Sequence, residues 1–279
     1  FVLEMQTLQE AAPYQAKLLD EKELIALTKS TDQAVSNNLS RKLKIAYSLQ
    51  SPISGIELSK DAINASLKAV EFLEGHELTE VDFPIEARPL IQSYYRMNAA
   101  ETVAMLEPWE RAAGRRLTSQ DVELLTYALL EAGRKAPVSS YINALAQWDI
   151  AARDFTDKIY KDYDLFLTAT TAKTAPKIGQ ELMTAEVLKE MSEISQYEFE
   201  QQIEIIEAAF ERSLAFTPYN FISNLTGQPA LSLPVYVNEE TNLPLGIQLW
   251  GPKNSEIELL KVAKEFEEAG QFILPKAYQ

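Results

Sequence analysis

Few side chains in this sequence have the type and spacing for covalent chemistry. His76 is its single histidine and it has no cysteine, which excludes thiolate nucleophiles, disulfides and Cys- or His-rich metal sites. A Ser-His-Asp arrangement would have to use His76, and no Gly-x-Ser-x-Gly elbow exists to aim a serine at it. Directly after a Leu-Glu-Gly helix end, His76 reads as a helix-terminal residue. A second cluster, Lys135 with Ser139 and Ser140, has the composition of a serine–lysine hydrolase. Neither serine has a flanking glycine, however, and glycines let a backbone take strained angles that turn N–H groups toward an oxyanion. Both open a long helical pattern, where a hydroxyl is expected as the N-cap. Arg115-Arg116 could orient a substrate carboxylate, but such a pair is ordinarily solvated. The glutamate-rich stretch from Thr184 to Leu214 lacks the loop spacing of a calcium site. It is expected to be one long helical segment, a solvated face or a lid.

The elements that must position any site are well marked. Leu43 to Leu49 reads as a buried strand. A helix follows from about Lys60 to Glu74, with Ser59 as N-cap and Gly75 as the left-handed residue after it. Glu77 to Phe83 alternates like a half-buried strand and stops at Pro84, which completes a βαβ-like unit. Ile85 to Lys135 is helical with a break at Gly114, and a new helix is expected at Thr118 or Ser119. Trp109 and Tyr127 are expected to pack on the core or line a groove. Tyr141, Leu145, Trp148, Ala152, Phe155 and Ile159 form one apolar stripe on the next helix, which leads to a buried strand at Leu165 to Thr168. Residues 1–40 read as helix and loop, anchored by Leu18, Leu19, Leu24, Ile25 and Leu27. At the other end, Ser255-Glu256-Ile257-Glu258 reads as a capping box, with Leu259, Leu260, Ala263 and Phe266 buried and Gly270 as the stop.

Composition sets outer limits. The chain has 279 residues, enough for one sizeable core, and is read as a single domain. Its net charge of −15 argues against nucleic acid and anionic membrane as partners. No apolar run is long enough to span a bilayer. The expected compartment is the cytoplasm, and any targeting signal would precede Phe1.

The most informative stretch is Phe216 to Pro252. Two apolar runs, Ala230 to Tyr236 and Leu245 to Trp250, are bounded by Asn, Gly and Pro and read as neighbouring buried strands. Gly246 within the second run marks a bulge or a close backbone approach. The order Asn224-x-x-Gly227-x-Pro229-Ala230-x-Ser232-x-Pro234, then Pro244-x-Gly246-x-Gln248-x-x-Gly251-Pro252, resembles the C-terminal signature of the amidase signature family, serine hydrolases of C–N bonds. The Leu-Glu-Gly-His segment and Tyr163-Asp164-x-x-Leu167-Thr168-x-Thr170 extend the resemblance over nearly the whole chain. Ala169 replaces the proline usual in that family's Leu-Thr-Pro-Thr. The family's glutamine amidotransferase branch follows its arginine pair with Ile-x-x-Gly-Thr, and Leu117-Thr118-Ser119 does not match it.

The resemblance implies an α/β fold, a mixed sheet flanked by helices, as the C-terminal portion of an amidase. It implies cofactor-free chemistry in which one serine attacks, a second serine relays its proton and a buried neutral lysine acts as base. Those groups lie in a Gly-Gly-Ser-Ser-Gly loop and upstream of it, and no residue of this chain matches them. The chain alone is therefore expected not to hydrolyse amides. Its expected partners are the N-terminal half that carries the catalytic loop and a small amide substrate. The resemblance further implies that the loop from Phe216 to Asn224 walls the acyl pocket, with Thr217, Asn220, Phe221 and Asn224 as substrate-contacting candidates. The alternative is a non-catalytic module with the amidase fold that binds a ligand or partner.

Overall fold

The computed structural model describes residues 41–276; the expected elements at 1–40 lie outside that range. Five strands form one mixed sheet in the order β2-β1-β3-β5-β4. They are β1 (Lys44–Tyr47), β2 (Glu77–Glu80), β3 (Leu165–Ala169), β4 (Ala230–Val237) and β5 (Pro244–Trp250). β1 runs parallel to β2 and to β3, whereas β5 is antiparallel to both β3 and β4. Eight α-helices accompany the sheet among the described residues. They are α1 (Lys60–Phe72), α2 (Arg88–Ala113), α3 (Leu124–Lys135), α4 (Val138–Phe155), α5 (Ala185–Ser192), α6 (Phe199–Leu214), α7 (Ile222–Thr226) and α8 (Glu256–Glu268). The expected mixed sheet flanked by helices is what forms.

The β1–α1–β2 unit follows the sequence closely. The Ser59 hydroxyl accepts the Ala62 N–H at 3.2 Å and caps α1. Gly75, however, does not take a left-handed conformation; the helix ends at Leu73, whose N–H still bonds Ala69 O. His76 then ties three elements together. Its Nδ1 accepts the Leu43 N–H at 3.1 Å, so its proton sits on Nε2, 3.2 Å from a Glu265 carboxylate oxygen on α8. β2 stops at Glu80 rather than Phe83, whose ring turns into the core against Phe155, Phe166, Tyr219 and Trp250.

α1 packs against β3, β4 and β5 on one face of the sheet, with α8 beside it on β4. On the other face the end of α4 brings Phe155 to Trp250, stacked at 5.8 Å. Of the expected stripe, Phe155 and Ile159 are buried, Leu145, Trp148 and Ala152 are half-buried and Tyr141 is exposed, while the neighbouring Ala144 and Ala151 are buried instead. α2, α3 and α6 pack together as a helical layer. The break after α2 falls at Gly114, with φ of 64°. α3 begins at Leu124, later than expected, because Asp121 organises a turn first. Asp121 accepts from the Thr118 N–H and hydroxyl and from both arms of Arg115. That pairing, with the Arg115 guanidinium foremost, holds the Asp121 carboxyl well below its usual range. Tyr127 packs on the core as expected, but Trp109 is 69% exposed.

Three further expectations change. Ser139 and Ser140 do not cap α4: Pro137 occupies the cap and the Ser140 hydroxyl donates back to its carbonyl at 2.8 Å. Ser255 precedes α8 without a side-chain cap, since its hydroxyl donates to Pro252 O at 2.7 Å, and Leu260 is exposed while Val262 is buried. The segment from Thr184 to Leu214 is broken between α5 and α6, and it is not a lid. α6 buries Phe199, Ile203, Ile205, Ile206 and Ala209, and its glutamates pair with α2.

Those pairs couple stability to pH. Arg88 donates to both oxygens of Glu211, at 2.9 and 3.0 Å, and to Glu207, while Arg96 holds Glu200 at 2.6 and 2.8 Å. Hydrogen bonds from these arginines keep the Glu200 and Glu211 carboxyls below their usual range. A carboxyl depressed in the folded state adds stability above its unfolded pKa and loses it as pH falls through the folded value. The contribution should therefore disappear as pH falls through and below the ordinary carboxylate range. With side chains this exposed, each pair is worth no more than about 1 kcal/mol. The expected result is a shallower acid dependence of urea stability for the Arg88→Met/Arg96→Met double variant than for the parent.

Candidate active site

In an α/β sheet, ligands gather beyond the carboxyl ends of the parallel strands, where loops converge and strand direction in the order changes. Here that end carries the loops after β1 (residues 48–55), β2 (81–87) and β3 (170–176). β5 starts at the same end, since its early residue Ile247 lies opposite Ala169, the last of β3. A cleft of about 400 Å³ opens there between the β3 loop, the turn at Phe216-Thr217 and the paired strands β4 and β5.

Its base is built by a close approach. The Thr170 and Ser232 hydroxyls meet at 2.6 Å, and Thr170 N–H donates to Gly246 O at 2.9 Å. A Cβ on Gly246 would lie 2.8 Å from Leu233 O, 2.9 Å from Ser232 Oγ and 3.0 Å from Thr170 Oγ1. Glycine at this position therefore answers the oddity in the sequence: no side chain fits beneath the hydroxyl pair. The strands also lose register just beyond, between Leu233 and Tyr236, so the expected bulge and the close approach occur together.

The turn at 216–221 is pinned from two sides. Ala172 N–H donates to Phe216 O at 2.8 Å, and the Tyr219 hydroxyl donates to Gln50 O at 2.8 Å. Tyr219 is fully buried, and burial raises its phenol above the ordinary value, so it remains a neutral donor. Gln50 lines a second cavity of about 470 Å³, walled by Phe83, Ile85, Leu90 and Ile150. Its rim holds Glu86, hydrogen-bonded by Ser54. Burial opposes the Glu86 charge, but bonds from Ser54 and the Arg88 N–H outweigh it and hold the carboxyl below its usual range.

Of the four pocket candidates, Thr217 lines the cleft, with its hydroxyl donating to Ser213 O at 3.3 Å. Phe221 is half-buried and packs on the core. Asn220 and Asn224 are exposed, the Asn224 amide reaching Asn220 O at 3.5 Å. Neither asparagine nor Phe221 lines either cavity. The residues that sequence reasoning passed over are Thr170 and Ser232. Both stood inside quoted motifs, Leu-Thr-x-Thr and Pro-Ala-x-Ser-x-Pro, and the misplaced-looking Gly246 was the signal that something pressed against it.

The other clusters are engaged elsewhere. Lys135 Nζ donates to the carbonyls of Ser195 and Tyr197 rather than to Ser139 or Ser140. Arg115 is bound to Asp121 at the surface. Among the described residues no group of His, Asp and Glu could hold a metal ion, and no helix is long and apolar enough to cross a membrane.

The Amidase family matches residues 5–260, and the chain belongs to this amidase signature family. It is similar to a lipoamidase of Enterococcus faecalis, at 36% identity over 236 residues, covering 83% of this chain and 32% of that protein. It is also similar to a putative amidase, AmiC, of Mycobacterium tuberculosis, at 25% identity covering 84% of this chain and 45% of the relative. The structure of a 6-aminohexanoate cyclic dimer hydrolase superimposes with a TM-score of 0.74 at 20% identity, over 97% of this chain and 52% of the other. The chain thus spans about a third to a half of the length of the relatives it matches.

Proposed function

We propose that this chain is the C-terminal, substrate-facing portion of a serine-dependent hydrolase of carboxamide C–N bonds. The observation that carries the reading is the meeting of Thr170, Ser232 and Gly246 at the carboxyl end of the sheet, since each comes from a different piece of the family signature. An amide carbonyl is a weak electrophile, so hydrolysis needs an activated nucleophile, oxyanion donors and a proton for the leaving amine. In this reading those groups come from a glycine-rich Ser-Ser loop and a lysine outside residues 1–279, and the chain without them is inactive. The engagement of Lys135 with two backbone carbonyls supports that division, because it removes the Lys135, Ser139 and Ser140 cluster from contention. The two polypeptide portions form one amidase domain.

What the chain supplies is the wall of the acyl pocket, with Thr217, Asn220, Phe221 and Asn224 facing the substrate. Of these, Thr217 on the cleft supports the assignment, whereas Asn220, Phe221 and Asn224 line neither cavity and enter as what the family resemblance implies. The lipoamidase relative makes lipoamide the first substrate to assay. In the complete enzyme, Asn220→Ala should raise KM about fivefold to tenfold with kcat little changed, the loss of one ground-state hydrogen bond. Unchanged steady-state constants would remove Asn220 from the wall. The reading as a whole is tested by amide turnover that a serine-directed reagent abolishes.

A further inference from the structure

The cleft at Thr170 and Ser232 has an electrostatic character that amide hydrolysis alone does not require. The chain carries 41 acidic residues against 26 basic ones, yet no aspartate or glutamate lines this cleft. Its single charged group is Lys173, which lies exposed on the β3 loop and makes no ion pair among the described residues. The ammonium is held toward the cleft over the Phe216 ring, 5.7 Å from its centroid, and the loop beneath it is fixed by the Ala172–Phe216 bond at 2.8 Å.

The hydroxyls add to this. Thr171 and Thr217 donate their protons to Lys173 O and Ser213 O, so they offer the cleft no O–H. In the Thr170–Ser232 pair one hydroxyl donates to the other, which leaves one O–H free. The side-chain donors remaining for a ligand are therefore that O–H, the Thr174 hydroxyl and the Lys173 ammonium. The remaining walls are apolar, with Pro176, Pro234, Pro244 and Leu245 prominent among them. A cation and hydroxyls with no carboxylate among them, beside apolar walls, match an aliphatic stem that terminates in an anion.

We propose that this cleft binds the carboxylate of an aliphatic chain, with Lys173 as the specificity-determining residue. As a statement about substrate it rests on the amidase reading: the amide hydrolysed carries a carboxylate on an aliphatic arm. Lys173 is a binding residue and takes no part in bond breaking.

The test is titration of the 279-residue chain with hexanoate and with hexanamide, which share length and differ in charge. Hexanoate should bind at least about tenfold more tightly, the scale of one charge-assisted hydrogen bond. Lys173→Gln should erase that preference, Lys173→Arg should retain it, and added salt should weaken hexanoate alone. Both substitutions are at an exposed position, so an unchanged melting curve certifies the fold. Equal affinity for the two ligands, or a preference that survives Lys173→Gln, would overturn the inference. Failure here is separable from failure of the amidase reading. Turnover of neutral amides by the complete enzyme with no carboxylate selectivity sinks the cleft assignment only. Lys173-dependent carboxylate binding with no amide turnover sinks the hydrolase only.

Discussion

Replacing Gly133 by alanine is expected to destabilise the protein by about 3 kcal/mol or more, the upper range for overpacking. A Cβ on Gly133 would sit 2.0 Å from the Ala99 carbonyl oxygen and 2.6 Å from a Val103 methyl carbon. The first of these is backbone, so no rotamer change relieves it, and α2 and α3 would have to separate. Helix propensity works in the opposite direction, since alanine is favoured over an interior glycine by about 1 kcal/mol. The clash is the larger effect. Ala99, Ala128 and Ala132, all fully buried, complete the narrow seam that Gly133 permits. Denaturant unfolding checks the sign directly: a stabilised Gly133→Ala variant would show that the two helices do not approach this closely.

Trp250→Ala should cost about 3–5 kcal/mol, the range for deleting a large buried aromatic. Trp250 has no exposed surface and stacks on Phe155 at 5.8 Å, with the Phe166 and Phe83 rings at 6.3 and 6.4 Å. Its indole N–H donates to Thr168 Oγ1 at 3.0 Å. Trp250→Phe separates the contributions, because it keeps most of the ring and removes the donor. It should cost about 1–2 kcal/mol, which covers one hydrogen bond and a small void. Since Trp250 ends β5 while Gly246 lies near its start, loss of this anchor should also loosen the strand beneath the Thr170–Ser232 pair.

How much of this could be read without the structure depended on the range of the interactions. β4, β5 and the β1–α1–β2 unit were legible because local patterns set them: apolar runs between Gly, Pro and Asn, and a serine cap. Helix ends fixed by distant or unusual partners were not. Thr118 looked like a cap but is the start of a turn organised by Asp121, and Ser255 looked like a capping box but bonds back to Pro252. Trp109 was expected on the core or lining a groove, because a large ring carries no mark of how exposed it will be. Gly133 attracted no notice, because its necessity comes from a neighbouring helix 34 positions upstream at Ala99. At the site, the family signature led to the carboxyl end of the sheet. It could not say that Thr170 and Ser232, 62 residues apart, would share a hydrogen bond. Nor could it show that Asn220 and Asn224 lie on the surface while Thr217 borders the cleft.

The central claim is that this chain carries the substrate wall of an amidase and not its nucleophile. Hydrolysis of lipoamide and of a simple aryl amide should therefore be measured twice, first with the 279-residue chain alone and then with the chain joined to the coding sequence that precedes it. The expected result is no turnover by the chain alone, and turnover by the longer protein that a serine-directed reagent abolishes. Reagent-sensitive turnover by the 279-residue chain itself would contradict the claim.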